Sequence, residues 1–167
     1  MKFEDVNEGR TKSDEYFTPY PALQPLLEWI PKDRTIWECT DTSGKISSFF
    51  IGQGYQVISS SDNFLAYSEP RGDIIVTNPP YSTKTKFLEH CYRLDVPFAL
   101  LLPITTLEGH TRQRLYREHG IQLILLNRRI NFLPGKSGAW FAVAWFCHGL
   151  NLPHELNFSN ISKENVS

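Results

Sequence analysis

Residues 73–82, DIIVTNPPYS, constrain the fold more than any other stretch of the chain. Ile74, Ile75 and Val76 form an apolar run without polar alternation, the pattern of a strand covered on both faces in a parallel sheet. Pro79 and Pro80 then stop it, because each lacks a backbone N–H and fixes its own φ. A strand buried above and below needs helices on both sides, and the rest of the chain supplies them. Leu23, Leu26, Leu27 and Ile30 recur at three-and-four spacing and predict an amphipathic helix over 20–30, ended by Pro31. Short strands are expected at 35–39, 55–59, 73–77, 96–102 and 121–127, with a last β-rich run at 139–147. Helices are expected at 44–53, 84–94 and 106–119. This alternation predicts an α/β fold with a mostly parallel central sheet and helices on both faces. It would form one domain over 1–150, followed by a polar C-terminal tail, 151–167, ordered in part. In such sheets ligands gather beyond the carboxyl ends of the strands, where strand order reverses. TDTSG, SSD and NPPY each follow an expected strand.

At 167 residues the chain has room for one domain and not for two of ordinary size. Its net charge of −1 argues against a broad cationic surface that grips duplex without regard to sequence, and leaves room for a local basic patch. Cys39, Cys91 and Cys147 sit far apart inside apolar runs. Their spacing fits no zinc site and an odd number suits no disulfide framework, so buried thiols in a reducing compartment are expected, with no metal. The opening MKFEDVNEGRTKSDE lacks the apolar core of a signal peptide. No run approaches the roughly 18 apolar residues of a membrane span, so a cytoplasmic protein without a membrane partner is expected.

The NPPY loop suits one kind of atom. An exocyclic amino nitrogen is a poor nucleophile because its lone pair is delocalised into the ring. Accepting hydrogen bonds from both of its N–H groups favours a more tetrahedral nitrogen. Asn78 offers a side-chain carbonyl oxygen, and Pro79 a backbone carbonyl with no competing N–H. Two prolines fix the loop that aims them. Tyr81 can stack on a flat base, an interaction worth roughly 1–3 kcal/mol in single-strand binders. Methyl transfer from a sulfonium to such a nitrogen depends on in-line positioning and asks for neither a metal nor a general base of unusual pKa.

With these residues in view, the chain resembles the small S-adenosylmethionine-dependent amino-methyltransferases, specifically the DNA N6-adenine type of phages and prophages. SDEYFTPYPALQPLLEWI resembles the N-terminal motif along the methionine part of the cofactor, and IWECTDTSGKISSFF the cofactor-binding strand, loop and helix. DIIVTNPPYS resembles the catalytic loop; VPFALLLPITTLEGHTRQRLY, RRINF and AWFAVAWF resemble the remaining core strands. The likeness runs from about residue 13 to about 148. It implies a Rossmann-like methyltransferase fold, S-adenosyl-L-methionine as cofactor, and transfer to N6 of adenine in DNA ahead of RNA. It also implies a bacterial or phage-infected cell; with no room for a separate target-recognition domain, either a short or loose recognition sequence or a protein partner that supplies specificity is expected. By resemblance the catalytic residues are Asn78, Pro79, Pro80 and Tyr81. Phe17, Thr18, Pro19, Glu38, Thr40, Gly44 and Asp62 are the cofactor-binding residues, and Ser82, Lys84 and Arg112 meet substrate. The same loop serves RNA-adenine and protein-glutamine methyltransferases, so those remain alternatives.

The cofactor loop departs from the family pattern. Thr42 stands where the first of two glycines is expected, and Asp41 where a small residue is usual. A threonine at positive φ would cost roughly 1–2 kcal/mol. A carboxylate at 41 would oppose the cofactor's own carboxylate or favour its sulfonium. A single acid in SSSDNFL, Asp62, stands where two are expected. These departures keep open a methyltransferase-like binding protein without turnover.

Arg112, Arg114, Arg117, Arg128 and Arg129 are candidates for phosphate contacts or for a solvated face balanced by Glu108 and Glu118. Lys84 and Lys86 follow NPPYS closely enough to flank substrate, while His110 and His119 read as surface residues. Trp140, Phe141, Trp145 and Phe146 read as sheet core, and GKSG at 135–138 as a turn.

Overall fold

The computed structural model describes residues 18–132 and 141–161. A short helical turn, α1 (Tyr20–Leu23), runs through a 3-10 turn (Gln24–Glu28) towards β1 (Ile36–Glu38). Then follow α2 (Lys45–Gly52), β2 (Val57–Ser59), β3 (Ile74–Thr77), α3 (Lys84–Arg93), β4 (Phe98–Pro103) and α4 (His110–His119). The last elements are β5 (Gln122–Leu126), β6 (Val143–His148) and β7 (Leu156–Ser159). Among the described residues these seven strands form one sheet in the order β2-β1-β3-β4-β6-β5-β7. Neighbours are parallel except for β6, which runs antiparallel to both β4 and β5.

Alternate residues of each central strand face opposite layers, as the pleat requires. Ile36, Ile74, Val76, Leu101 and Trp145 pack against Leu23, Leu26, Ile30, Phe49 and Phe50 on one face. Trp37, Ile75, Leu100, Leu102 and Phe146 pack against Phe87, Leu88, Cys91 and Leu115 on the other. The sheet is therefore covered on both sides, as its uninterrupted apolar strands demand. All three cysteines are buried and free, and burial pushes their thiols up. No helix among the described residues is long and apolar enough to cross a membrane.

Three expected elements differ. The helix over 20–30 is broken into α1 and the 3-10 turn, because Pro25 has no N–H to return to the carbonyl one turn back. The segment is held instead by its partners: Trp145 Nε1 donates to the Ala22 carbonyl at 2.7 Å, and the Tyr55 hydroxyl to that of Ile30 at 2.6 Å. The helix over 106–119 begins only at His110, since Gly109 at φ 108° separates it from a 3-10 turn (Ile104–Leu107). The sheet also continues past residue 150, where β7 pairs with β5. Its Asn157 amide donates to the Leu123 and His154 carbonyls at 3.0 and 2.8 Å. That strand carries only two apolar residues, too few to stand out from a polar tail.

Two histidines tie stability to pH. Burial, followed by the nearby Arg93, holds the imidazole of His90 below its ordinary pKa. Burial and then His119 do the same for His148, against the pull of Asp95. The unfolded chain takes up protons that the folded protein refuses, so stability is complete above about pH 6.5 and declines as the pH falls towards the depressed folded values. The melting temperature should therefore drop between about pH 7.5 and about pH 5.5, and His148→Gln should flatten the slope in thermal melts.

Candidate active site

β1 pairs with β2 on one side and β3 on the other, so the chain reverses its direction of travel across the sheet at β1. In sheets of this kind ligands sit in a crevice at such a reversal, beyond the carboxyl ends of the strands, here β1 and β3. Residues 41–44 and 78–81 form its two lips.

The acceptor lip is the NPPY loop. Asn78 caps the buried end of β3, with Pro79 and Pro80 buried behind it. Its amide nitrogen donates to the Thr18 hydroxyl at 3.3 Å, and Thr18 is 2% exposed. Its Oδ1 is buried and accepts no hydrogen bond. An orphaned carbonyl oxygen of this kind costs about 1–3 kcal/mol. After Pro80 the chain makes a 3-10 turn (Tyr81–Thr83), with the Thr83 amide and hydroxyl both donating to the Pro80 carbonyl at 3.1 and 3.2 Å. Tyr81 is half-buried and meets Phe141 edge-on, ring centroids 5.6 Å apart. Trp145 and Phe146 are core, as expected, but Phe141 is half-buried and walls the loop.

The donor lip is wound differently from the expectation. Thr42 does not take positive φ; among the described non-glycine residues only Asp95 and Asn151 do. Gly44 alone carries the left-handed turn, at φ 73°, and a Cβ there would meet nothing within 4 Å. The predicted strain at Thr42 is thus absent. Asp41 is also turned away from the role expected of it. Its Oδ1 accepts from the Gly44 amide at 2.7 Å, and its Oδ2 from the Ser47 and Ser59 hydroxyls at 2.6 Å each. The carboxylate fastens the loop to the start of α2 and the end of β2.

The two lips meet through Glu38, 3% exposed. Its Oε1 accepts from the Thr40 amide at 2.9 Å and from the Thr77 hydroxyl. Thr77 was not singled out from the sequence; its place directly before NPPY was the available signal.

The other expected residues scatter. Pro19 is half-buried at the start of α1 beside Thr18, and Ser82 is exposed. Asp62 is exposed, with both oxygens 2.8 Å from the Tyr67 hydroxyl. Residues 60–73 pass from β2 to β3 through one 3-10 turn (Phe64–Ala66) and no strand. Lys84 donates to the Tyr81 carbonyl at 3.2 Å, and burial, then Arg112, lowers its pKa. Arg112 binds the Thr106 carbonyl at 2.9 Å and the Thr85 hydroxyl at 2.9 Å, joining α4 to α3. Arg114, Arg117, Arg128, Arg129 and Lys86 are exposed. Phe17, Trp140 and residues 135–138 lie outside the described residues.

Neither a family model nor a curated protein sequence matches the chain. Solved structures do. A methyltransferase subunit of a type I restriction-modification system from Streptococcus thermophilus superposes with a TM-score of 0.60 at 17% identity, covering 87% of this chain and 47% of that one. A protein of Listeria monocytogenes assigned to the class I S-adenosylmethionine-dependent methyltransferases gives 0.62 at 13% identity, covering 98% and 74%. The 1,6-didemethyltoxoflavin-N1-methyltransferase of Burkholderia thailandensis, solved with S-adenosylhomocysteine, gives 0.52 at 12%, covering 86% and 83%. The chain spans about half the length of the type I subunits it matches. The fold is therefore the Rossmann-like fold of class I methyltransferases.

Gly44→Ala should lower stability by about 1–2 kcal/mol through its backbone alone, since its Cβ finds open space. Asp41→Ala should cost more, because it releases three donors together. Urea denaturation of both variants checks the order.

Proposed function

We propose that this protein is an S-adenosylmethionine-dependent methyltransferase that modifies N6 of adenine in DNA. The observation that carries the reading is the Asn78 carbonyl oxygen, buried, unpartnered and held in place through Thr18. An amino group entering the crevice would donate one N–H to Asn78 Oδ1 and the other to the Pro79 carbonyl. Its lone pair would then be turned towards the donor lip. Tyr81 and Phe141 offer aromatic surface for a flat ring. In duplex the base would have to leave the stack, at a few kcal/mol.

The donor lip fits the cofactor in shape. The open space over Gly44 and the crevice between β1 and β3 are where this fold takes nucleoside ligands. Phe17, Thr18, Pro19, Glu38, Thr40, Gly44 and Asp62 would surround it. When bound, the cofactor supplies an electrophilic methyl group on a sulfonium. Both oxygens of the Asp41 carboxylate are engaged by donors of the loop and its flanking elements, which supports an ordered donor lip over a degenerate one. Substrate contacts fall to Ser82, Lys84 and Arg112, of which Ser82 is the most open to solvent. Arg128 and Arg129 follow β5, whose carboxyl end lies on the same edge of the sheet as that of β4, so they can meet phosphates beside the crevice. A protein partner would add sequence selection.

Labelled methyl transfer onto DNA, RNA and protein tests the substrate. Incorporation is expected at adenine in DNA; label only in RNA or in glutamine would replace this reading with the corresponding alternative. Asn78→Ala should abolish transfer while calorimetry shows cofactor affinity unchanged within about threefold, the pattern of a group that acts on the acceptor.

A further inference from the structure

We propose that Glu38, Thr40 and Thr77 form a positioning link that transmits occupancy of the donor lip to the acceptor loop, a proposal that rests on the functional reading above. The backbone register of β1 with β3 pairs Ile36 with Ile74 and Trp37 with Ile75. The backbone pairing of the two strands ends there. On its β2 side the donor lip keeps main-chain ties, from the Ser60 amide to the Glu38 carbonyl and from the Asp41 amide to the Ser60 carbonyl, both 2.9 Å. On its β3 side the described contacts are made by side chains.

Proton counting gives the link its direction. Thr77 spends its single hydroxyl proton on Glu38 Oε1. The Thr77 oxygen is then left to accept, and the Thr40 hydroxyl lies 2.5 Å from it. The same Thr40 hydroxyl is 3.4 Å from the main-chain carbonyl of Asn78, and the Thr40 amide closes the ring on Glu38. Thr77 is fully buried, so water cannot replace a lost partner. A shift of Thr40, the residue that leads into the donor lip, must therefore be followed by Thr77 and, through the peptide bond that joins them, by Asn78. Thr77 and Glu38 are positioning residues, acting through Asn78.

Hydrogen exchange with S-adenosylhomocysteine as the probe tests this without any nucleic acid. In the unmodified protein the ligand is expected to slow exchange over residues 40–48 and also over 81–86. Thr77→Val should bind the ligand within about threefold of the unmodified protein, while its slowing over 81–86 shrinks about fivefold or more, the lower end of usual coupling between sites. Thr77→Ser should restore it. If Thr77→Val does not fold, Thr77→Ala takes its place with the same expectation. Undiminished slowing over 81–86 in the variant, or none in the unmodified protein, overturns the link and leaves the functional reading standing. Loss of ligand binding in Thr77→Val also overturns it, by making the network a support of the donor lip alone. No binding by the unmodified protein overturns both.

Discussion

A carboxylate buried at the point where two strands part is an expensive element, and much of this structure follows from how Glu38 is accommodated. A charge removed from water must be met by hydrogen bonds or it shifts to its neutral form. Glu38 is met by a main-chain amide from its own loop and by a hydroxyl from the neighbouring strand. The two partners belong to the two lips of the crevice. The requirement to satisfy one buried group thus fixes the separation of the lips more tightly than apolar packing could, since apolar contacts are non-directional.

The donor lip repeats the device at smaller scale. Asp41 gathers an amide and two hydroxyls from three different elements, so the four-residue loop 41–44 needs one left-handed residue and no second glycine. The expected family pattern reaches a tight turn by freeing the backbone. This chain reaches one by tying it down. Sequence comparison registers that change as damage to a motif, whereas in space it is a different solution to the same turn.

The strands and the acceptor loop were legible because their signals are local. Apolar runs of four to six residues between breakers, and prolines after a strand, mean much the same in any context. What escaped the sequence was set by partners distant along the chain. The break at Pro25 was readable, yet the helix was expected to continue through it, because apolar spacing carried the inference and the Trp145 and Tyr55 contacts that make a broken segment stable were invisible. β7 escaped because an edge strand needs little apolar surface. Thr77 escaped because a threonine at a strand end has no signature until Glu38 stands beside it. Asp41 was found without its partners, since the hydroxyls of Ser47 and Ser59 that it accepts from are 6 and 18 residues away.

The paired prolines carry a consequence in time as well as in shape. Pro79 restricts Asn78 to extended backbone, and Pro80 restricts Pro79 in the same way. Much of the entropy of ordering this loop is therefore absent from the unfolded chain, and the remainder is lost when β3 joins the sheet. Little ordering is left for the moment a ligand arrives. A loop of this kind has no separate melting of its own. On heating, the acceptor geometry should persist until the sheet itself comes apart, and then vanish with it.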